Sequence, residues 1–331
     1  MKKTITTGLW TLLLASLLTV PACAQELIVG GQAVGIQLST EGVLVAGISE
    51  VQTAEGAKSP AAEAGVKAGD FIAAVDGQAI PDAPALMDAV AAAGERSLRL
   101  TVYREGRELT LPITPALSEE GRPMLGILLR DALSGIGTLT FCDPESGTFG
   151  ALGHSVNDNG SGRPIPVREG SITDAQIVSV QPGTPGRPGE LGGVSDLASA
   201  LGRIERNTDA GIFGALYDSP DGQRLEIGSI TAGPASIVST VIGREPREYA
   251  VEVNRVYRDA EGTHATLSVT DAALLQRTGG IVQGMSGSPI LQNGRLVGAV
   301  THVFVSNPTR GYAVSIQDML QAAGIRLERA A

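Results

Sequence analysis

The chain has 331 residues, enough for two domains. Its 43 glycines and 3% aromatic content favour many turns and short strands over a helical bundle. A net charge of −10 with no long basic stripe argues against nucleic-acid binding. The absence of a His-Glu-x-x-His or Cys/His cluster argues against a metalloenzyme, so no cofactor or metal is expected.

Residues 1–24 read as a signal peptide or signal anchor. Lys2 and Lys3 form a positive start, residues 9–20 an apolar core, and Ala22-Cys23-Ala24 a cleavage-type site after Pro21. The apolar core is short for a membrane span, which takes roughly 20 residues. Cleavage, an uncleaved anchor through residues 9–20 and lipidation at Cys23 remain the three alternatives, Pro21 fitting the last poorly. Each carries the rest of the chain across a membrane. Without this segment Cys142 is the remaining cysteine, so no internal disulfide is expected.

Residues 33–115 read as a first domain. Ala33-Val34-Gly35-Ile36 has the apolar-Gly-apolar form of a carboxylate-binding loop, and residues 43–48 are a strand. Next come a short helix at Ser59-Pro60-Ala61-Ala62, a Gly69-Asp70 turn into a strand at Phe71-Ile72, a helix over 83–93 and paired strands over 97–104 and 108–113. The order and the Ser-Pro-Ala-x-x-Ala-Gly-x-x-x-Gly-Asp-x-Ile pattern resemble a bacterial PDZ domain (α+β). The resemblance implies capture of a peptide C-terminus by Val34, Gly35 and Ile36; a spacer with an occluded groove is the alternative.

Residues 116–123 are a polar linker, and residues 124–331 read as a second, all-β domain. Short apolar or alternating runs occur at 125–129, 136–141, 177–180, 225–230, 249–257 and 263–269, between Gly/Pro-rich turns, with a closing helix over 316–323. The Asn157–Gly162 run lacks the later glutamate of a calcium loop and reads as a turn.

The most informative stretch is Gly279–Val303. Gly284-Met285-Ser286-Gly287-Ser288-Pro289 places a serine in a glycine-rich turn, followed by strand, Asn293-Gly294 turn and strand. Gly284 lets the amides of Gly284 and Ser286 point into one hole, where two donors can hold an oxyanion. A plain Gly/Ser hairpin is the bland alternative. In chymotrypsin-like proteases the nucleophile loop runs into such a hairpin. The second strand lines the specificity pocket and pairs with substrate; here that segment is Thr301-His302-Val303.

The run from Thr278 to Val303 resembles the SpoIVB-type serine peptidases of endospore-forming bacteria. That resemblance implies a mainly β protein, a PDZ domain followed by a chymotrypsin-like double-barrel peptidase. It implies Ser286 as nucleophile, His154 in Leu152-Gly153-His154 as general base, and Asp271 as the acid orienting it. Asp271 lies closer to the serine than chymotrypsin spacing has it. Asp196 and Asp209 suit that spacing better, and Asp271 also fits a helix N-cap. The resemblance further implies self-cleavage and cleavage of a membrane-bound regulator of a sigma factor protease, in the space between forespore and mother cell. An envelope quality-control protease and a catalytically dead peptide-binding scaffold remain the other two readings.

Overall fold

A computed structural model of the chain describes residues 25–326 except 105–106, 158–163 and 166. The expected signal segment and most of the Asn157–Gly162 turn fall outside these residues.

The described residues open with β1 (Glu26–Val29) and β2 (Ala33–Ile48). It continues through β3 (Val51–Thr53), β4 (Gly56–Lys58), α1 (Pro60–Glu63), β5 (Phe71–Val75), β6 (Gln78–Ala79), α2 (Ala83–Ala93), β7 (Leu98–Arg104), β8 (Arg107–Ile113), β9 (Ala116–Leu117) and β10 (Pro123–Met124). Next come β11 (Ile127–Cys142), β12 (Thr148–Ala151), β13 (Val167–Gln181), β14 (Glu190–Thr208), β15 (Gly211–Leu216) and β16 (Arg224–Glu226). The last part holds β17 (Gly233–Ser239), β18 (Arg247–Arg258), β19 (Thr263–Val269), α3 (Ala272–Thr278), β20 (Pro289–Gln292), β21 (Arg295–Val303), β22 (Arg310–Ser315) and α4 (Ile316–Ala323).

Two closed antiparallel barrels result. The first runs β2–β11–β12–β15–β14–β13 and closes because β13 returns to β2. The second runs β17–β18–β19–β22–β21–β20. Closure leaves no open sheet edge within a barrel. Val34, Ile36, Leu38, Phe149 and Ile172 pack in the first interior. Ile237, Val251, Leu267, Ile290 and Val300 pack in the second. Helix α4 buries Ile316, Met319 and Leu320 against Phe141, Phe213 and Leu296, which ties the barrels together. Cys142 is a buried free thiol pushed up to about 11 by burial and then by Asp143, so it is inert at neutral pH.

The PDZ domain is set within the first barrel. Strands β2 and β11 form one long antiparallel pair, from Ala33↔Thr138 at the barrel to Ile48↔Ile127 at the far end. The PDZ elements lie between them in sequence. Past the register break between Arg130 and Ala132, the outer half of the pair joins the PDZ sheet, with Val43↔Ile72 and Leu44↔Phe71. Val43, Val45, Ile72, Leu86, Val90 and Leu100 make its core. The Gly-Asp signature has a physical cause here. Asp70 is fully buried, and its carboxylate is gripped by Arg104 (Nε–Oδ1 2.6 Å) and by the Lys67 amide (2.9 Å).

This topology corrects two expectations. The first domain does not begin as a separate unit at residue 33, because residues 33–39 are a barrel strand. Val34, Gly35 and Ile36 are not a carboxylate-binding loop either. They sit between β11 (Gly137, Ile136, Gly135) and β13 (Asp174, Thr173, Ile172), with Val34 and Ile36 buried in the barrel interior. A Cβ on Gly35 would lie 2.5 Å from Ser195 Cβ, so this glycine answers to close packing rather than to ligand access. The apolar-Gly-apolar pattern is shared by both situations, and the sequence does not separate them.

Candidate active site

The glycine-rich serine loop crosses from the end of α3 into β20 at the junction of the barrels. Gln283 is fastened to the start of β14, its amide to Gly189 O (2.8 Å) and its carbonyl to Leu191 N (2.9 Å). The Met285 amide bonds to Val282 O (3.1 Å), Gly287 N to Val300 O (2.8 Å) and Ser288 N to Met285 O (3.0 Å). The amides of Gly284 and Ser286 donate to no acceptor among the described residues. Those are the two donors expected to face an oxyanion. Gly287, at φ +93°, sits where a Cβ would lie 2.2 Å from Thr138 O and 2.4 Å from Leu152 N. Only glycine lets the loop approach β11 this closely.

Of the two serines in the loop, Ser288 is fully buried, with its hydroxyl tied to Met285 O (2.7 Å) and Ser239 Oγ (3.0 Å). Ser286 is half-buried and lines the cleft; its hydroxyl donates to Thr301 O (2.6 Å). The cleft is about 520 Å³ and is also lined by His154, Thr301, His302 and Val303. Thr301 is buried, His302 exposed and Val303 half-buried, beside a register break of β21 against β22 between Val300 and Val303.

His154 follows a tight turn in which both Leu152 and Gly153 have φ +68°. Its Nδ1 lies 2.7 Å from Ser155 O. A carbonyl only accepts, so Nδ1 carries the proton and Nε2 keeps its lone pair. The ring lies against His302, with centroids 4.3 Å apart and planes tilted 32°. Burial, and then the neighbouring His302, hold His154 down to about 4, while the Ser155 bond pulls weakly the other way. His302 is exposed as a residue, but its ring packs on His154, and the partial loss of water around that ring lowers it as well. At neutral pH His154 is therefore a neutral imidazole with a free Nε2.

The acid expected beside it is elsewhere. Asp271 is the N-cap of α3, its Oδ1 accepting from Leu274 N at 2.8 Å. No hydrogen bond or ion pair joins it to His154, whose Nδ1 partner is the Ser155 carbonyl. Asp196 is exposed on β14 and accepts from Ser199 Oγ (2.8 Å), and Asp209 is exposed in the β14–β15 turn. His264 is on β19, 3.2 Å from Asp259. The structure thus brings together Ser286, His154, Gly284, Thr301, His302 and Val303, and leaves Asp271 at its helix cap.

Two features escaped the sequence reading. Thr138 on β11 contacts both site loops; a buried threonine in an alternating strand gives no sequence signal. Leu125-Gly126-Ile127 repeats the apolar-Gly-apolar pattern where β11 begins. Gly126 has φ +71°, and the amides of Leu125 and Gly126 donate to no acceptor among the described residues. Helix α2 packs beside this segment, against β10 and β11. The pattern recurring at 125–127 was the available signal.

Residues 121–320 match the SpoIVB peptidase S55 family, and residues 52–104 match the PDZ domain. No curated protein matches the chain. Similar solved structures include the active form of the Rv3671c protease from M. tuberculosis, at 14% identity over 75% of this chain and 90% of that one (TM-score 0.34). The thermostable serine protease AL20, from an extremophilic microorganism, is 11% identical over 58% and 92% (TM-score 0.36). Cellulomonas bogoriensis chymotrypsin is 15% identical over 54% and 91% (TM-score 0.26). With the family matched across most of both barrels, the chain belongs to the SpoIVB peptidase S55 family and is a serine endopeptidase carrying a PDZ domain.

Proposed function

We propose that Ser286 is the nucleophile and His154 its general base, and that the enzyme cleaves a membrane-associated regulatory protein in sporulation signalling between two cell compartments. The observation that carries the chemical reading is the bond from His154 Nδ1–H to the Ser155 carbonyl. It fixes the tautomer in which Nε2 can take the serine proton. The Ser286 hydroxyl rests on Thr301 O, and attack requires that it leave this carbonyl and donate to Nε2 across the cleft that both residues line. Attack on the scissile carbonyl moves the hydroxyl proton to His154. The amides of Gly284 and Ser286 then hold the oxyanion, and His154 returns the proton to the leaving amine.

Membership of the family supports the sporulation role, with export to the space between forespore and mother cell, release of a sigma factor protease from its regulator, and self-cleavage near the N-terminus. The chain-end partner of the PDZ domain docks at Leu125-Gly126-Ile127, where the amides of Leu125 and Gly126, without an acceptor among the described residues, suit a carboxylate, rather than at residues 34–36. A fluorophosphonate label tests the chemistry: it should attach to wild type at Ser286 and not to Ser286→Ala. Timing tests the pathway. If the protein and its cleavage products are present throughout vegetative growth, the sporulation role is wrong and envelope quality control takes its place.

A further inference from the structure

We propose that Thr138 is a positioning residue that sets the nucleophile loop against the histidine loop and so shapes the oxyanion hole. The proposal rests on Ser286 being the nucleophile. Thr138 is 1% exposed and lies on β11, in the other barrel from Ser286. All three of its polar groups are engaged, two of them across the junction and the third within its own barrel. The hydroxyl donates to Gly284 O (2.9 Å), the amide donates to Ser286 O (3.0 Å), and the carbonyl accepts from Leu152 N (3.3 Å).

The two carbonyls it grips belong to the two residues whose amides are uncommitted. Gly284 has φ +97° and no Cβ to limit its rotation. The peptide plane that follows it is held at both ends, by the Met285 amide on Val282 O from within the loop and by the Thr138 hydroxyl on Gly284 O from the other barrel. On the other side, Leu152 holds φ +68°, a region costly for a branched side chain and kept only where the surroundings enforce it. The Thr138 carbonyl holds the Leu152 amide, two residues ahead of His154. One residue therefore braces the loop that carries the two donor amides against the turn that leads to the base.

Thr140 supplies an internal control. It is on the same strand, is fully buried, and its hydroxyl donates to Gly287 O (2.7 Å). It holds no carbonyl of the two donor residues. Thr138→Val removes only the hydroxyl, and Thr138→Ser keeps it. In Thr138→Val, kcat on a chromogenic peptide should fall about 10²-fold with KM little changed, and fluorophosphonate labelling should slow by the same factor. Thr138→Ser should stay within about threefold of wild type, and Thr140→Val should lose far less kcat than Thr138→Val for a similar fall in Tm.

An unchanged kcat in Thr138→Val, an equal loss in Thr140→Val, or a Thr138→Ser enzyme as slow as Thr138→Val would each overturn the proposal. If Thr138→Val does not fold, Thr138→Cys keeps the volume with only a weak donor and must fall between Ser and a tenfold-or-greater loss. Labelling of Ser286→Ala separates the two levels. If that variant still labels, the nucleophile assignment fails; if it does not label while Thr138→Val reacts normally, the positioning role alone fails.

Discussion

The imidazole of His302 lies against that of His154, with ring centroids 4.3 Å apart. Both rings prefer to be neutral here, because desolvation disfavours charge on each and the neighbouring His302 further disfavours it on His154. His154 must be neutral to accept the serine proton. Activity should therefore persist below the usual histidine range, and kcat/KM should fall only as pH drops through about 4. His302→Gln removes the neighbouring charge and opens the site to water, so the acid limb should move up toward, but not reach, 6.5. The linked stability has a fixed sign. A depressed histidine contributes stability that is present above 6.5 and lost as pH falls toward about 4. A wild-type limb near 6.5, or a limb that ignores His302→Gln, would refute the stacked-pair account.

Ser286→Ala and His154→Ala should each abolish peptide hydrolysis while leaving the folded protein intact. Ser286 is half-buried, and its hydroxyl makes a single hydrogen bond. Groups that act as one unit lose their effect together, so the double variant should be scarcely slower than either single one. Losses that multiply in the double variant would mean the two residues act independently.

Asp271 separates a cap from a catalytic acid. Asparagine caps a helix about as well as aspartate, and its Oδ1 can still accept from Leu274 N. Asp271→Asn should therefore keep near-normal turnover, whereas Asp271→Ala should lose about 0.5–2 kcal/mol of stability. Loss of an orienting acid instead costs roughly 10⁴-fold in turnover. A drop of that size in Asp271→Asn, at unchanged Tm, would place its carboxylate on His154 during catalysis.

Local chemistry made much of this legible. The Asn293-Gly294 hairpin, the helices at 83–93 and 316–323 and the Gly-Asp turn of the PDZ domain all follow from residues close in sequence. So does the serine loop, because a tight approach to β11 requires glycine at 287. Strand β13 was read only over 177–180, and β14 was not read at all. Gly192 and Gly193 carry little strand preference, and glycine is there because neighbouring side chains come close, as the 2.2 Å from a Gly192 Cβ to Ser179 Oγ and the 2.8 Å from a Gly193 Cβ to Ile136 Cδ1 show. The partner of His154 Nδ1 was not legible either: a backbone carbonyl leaves no mark in side-chain identity.

The nesting of the PDZ domain gives a last prediction, concerning where it can be cut out. Removing residues 33–115 takes away the β2 segment that joins β11 to β13, so the first barrel opens, Phe149 and Ile172 lose the cover of Val34, Ile36 and Leu38, and the variant should not fold. The register offers a better boundary. Ser39 pairs with Ala132 at the barrel end of the long hairpin, just before the break that leads into the PDZ sheet. Replacing residues 40–131 with Asn-Gly would close that pair with a two-residue turn suited to the twist of the strands. All six strands of the first barrel and every bond of Thr138 would remain. This short chain should fold and react with a fluorophosphonate at near the wild-type rate, while losing efficiency on the native protein substrate or control of self-cleavage. Labelling rate and substrate cleavage rate, measured side by side, decide the matter. If the short chain cleaves the protein substrate as well as wild type, the PDZ domain is a spacer; if the 33–115 deletion folds and labels, β2 is not the barrel strand described here.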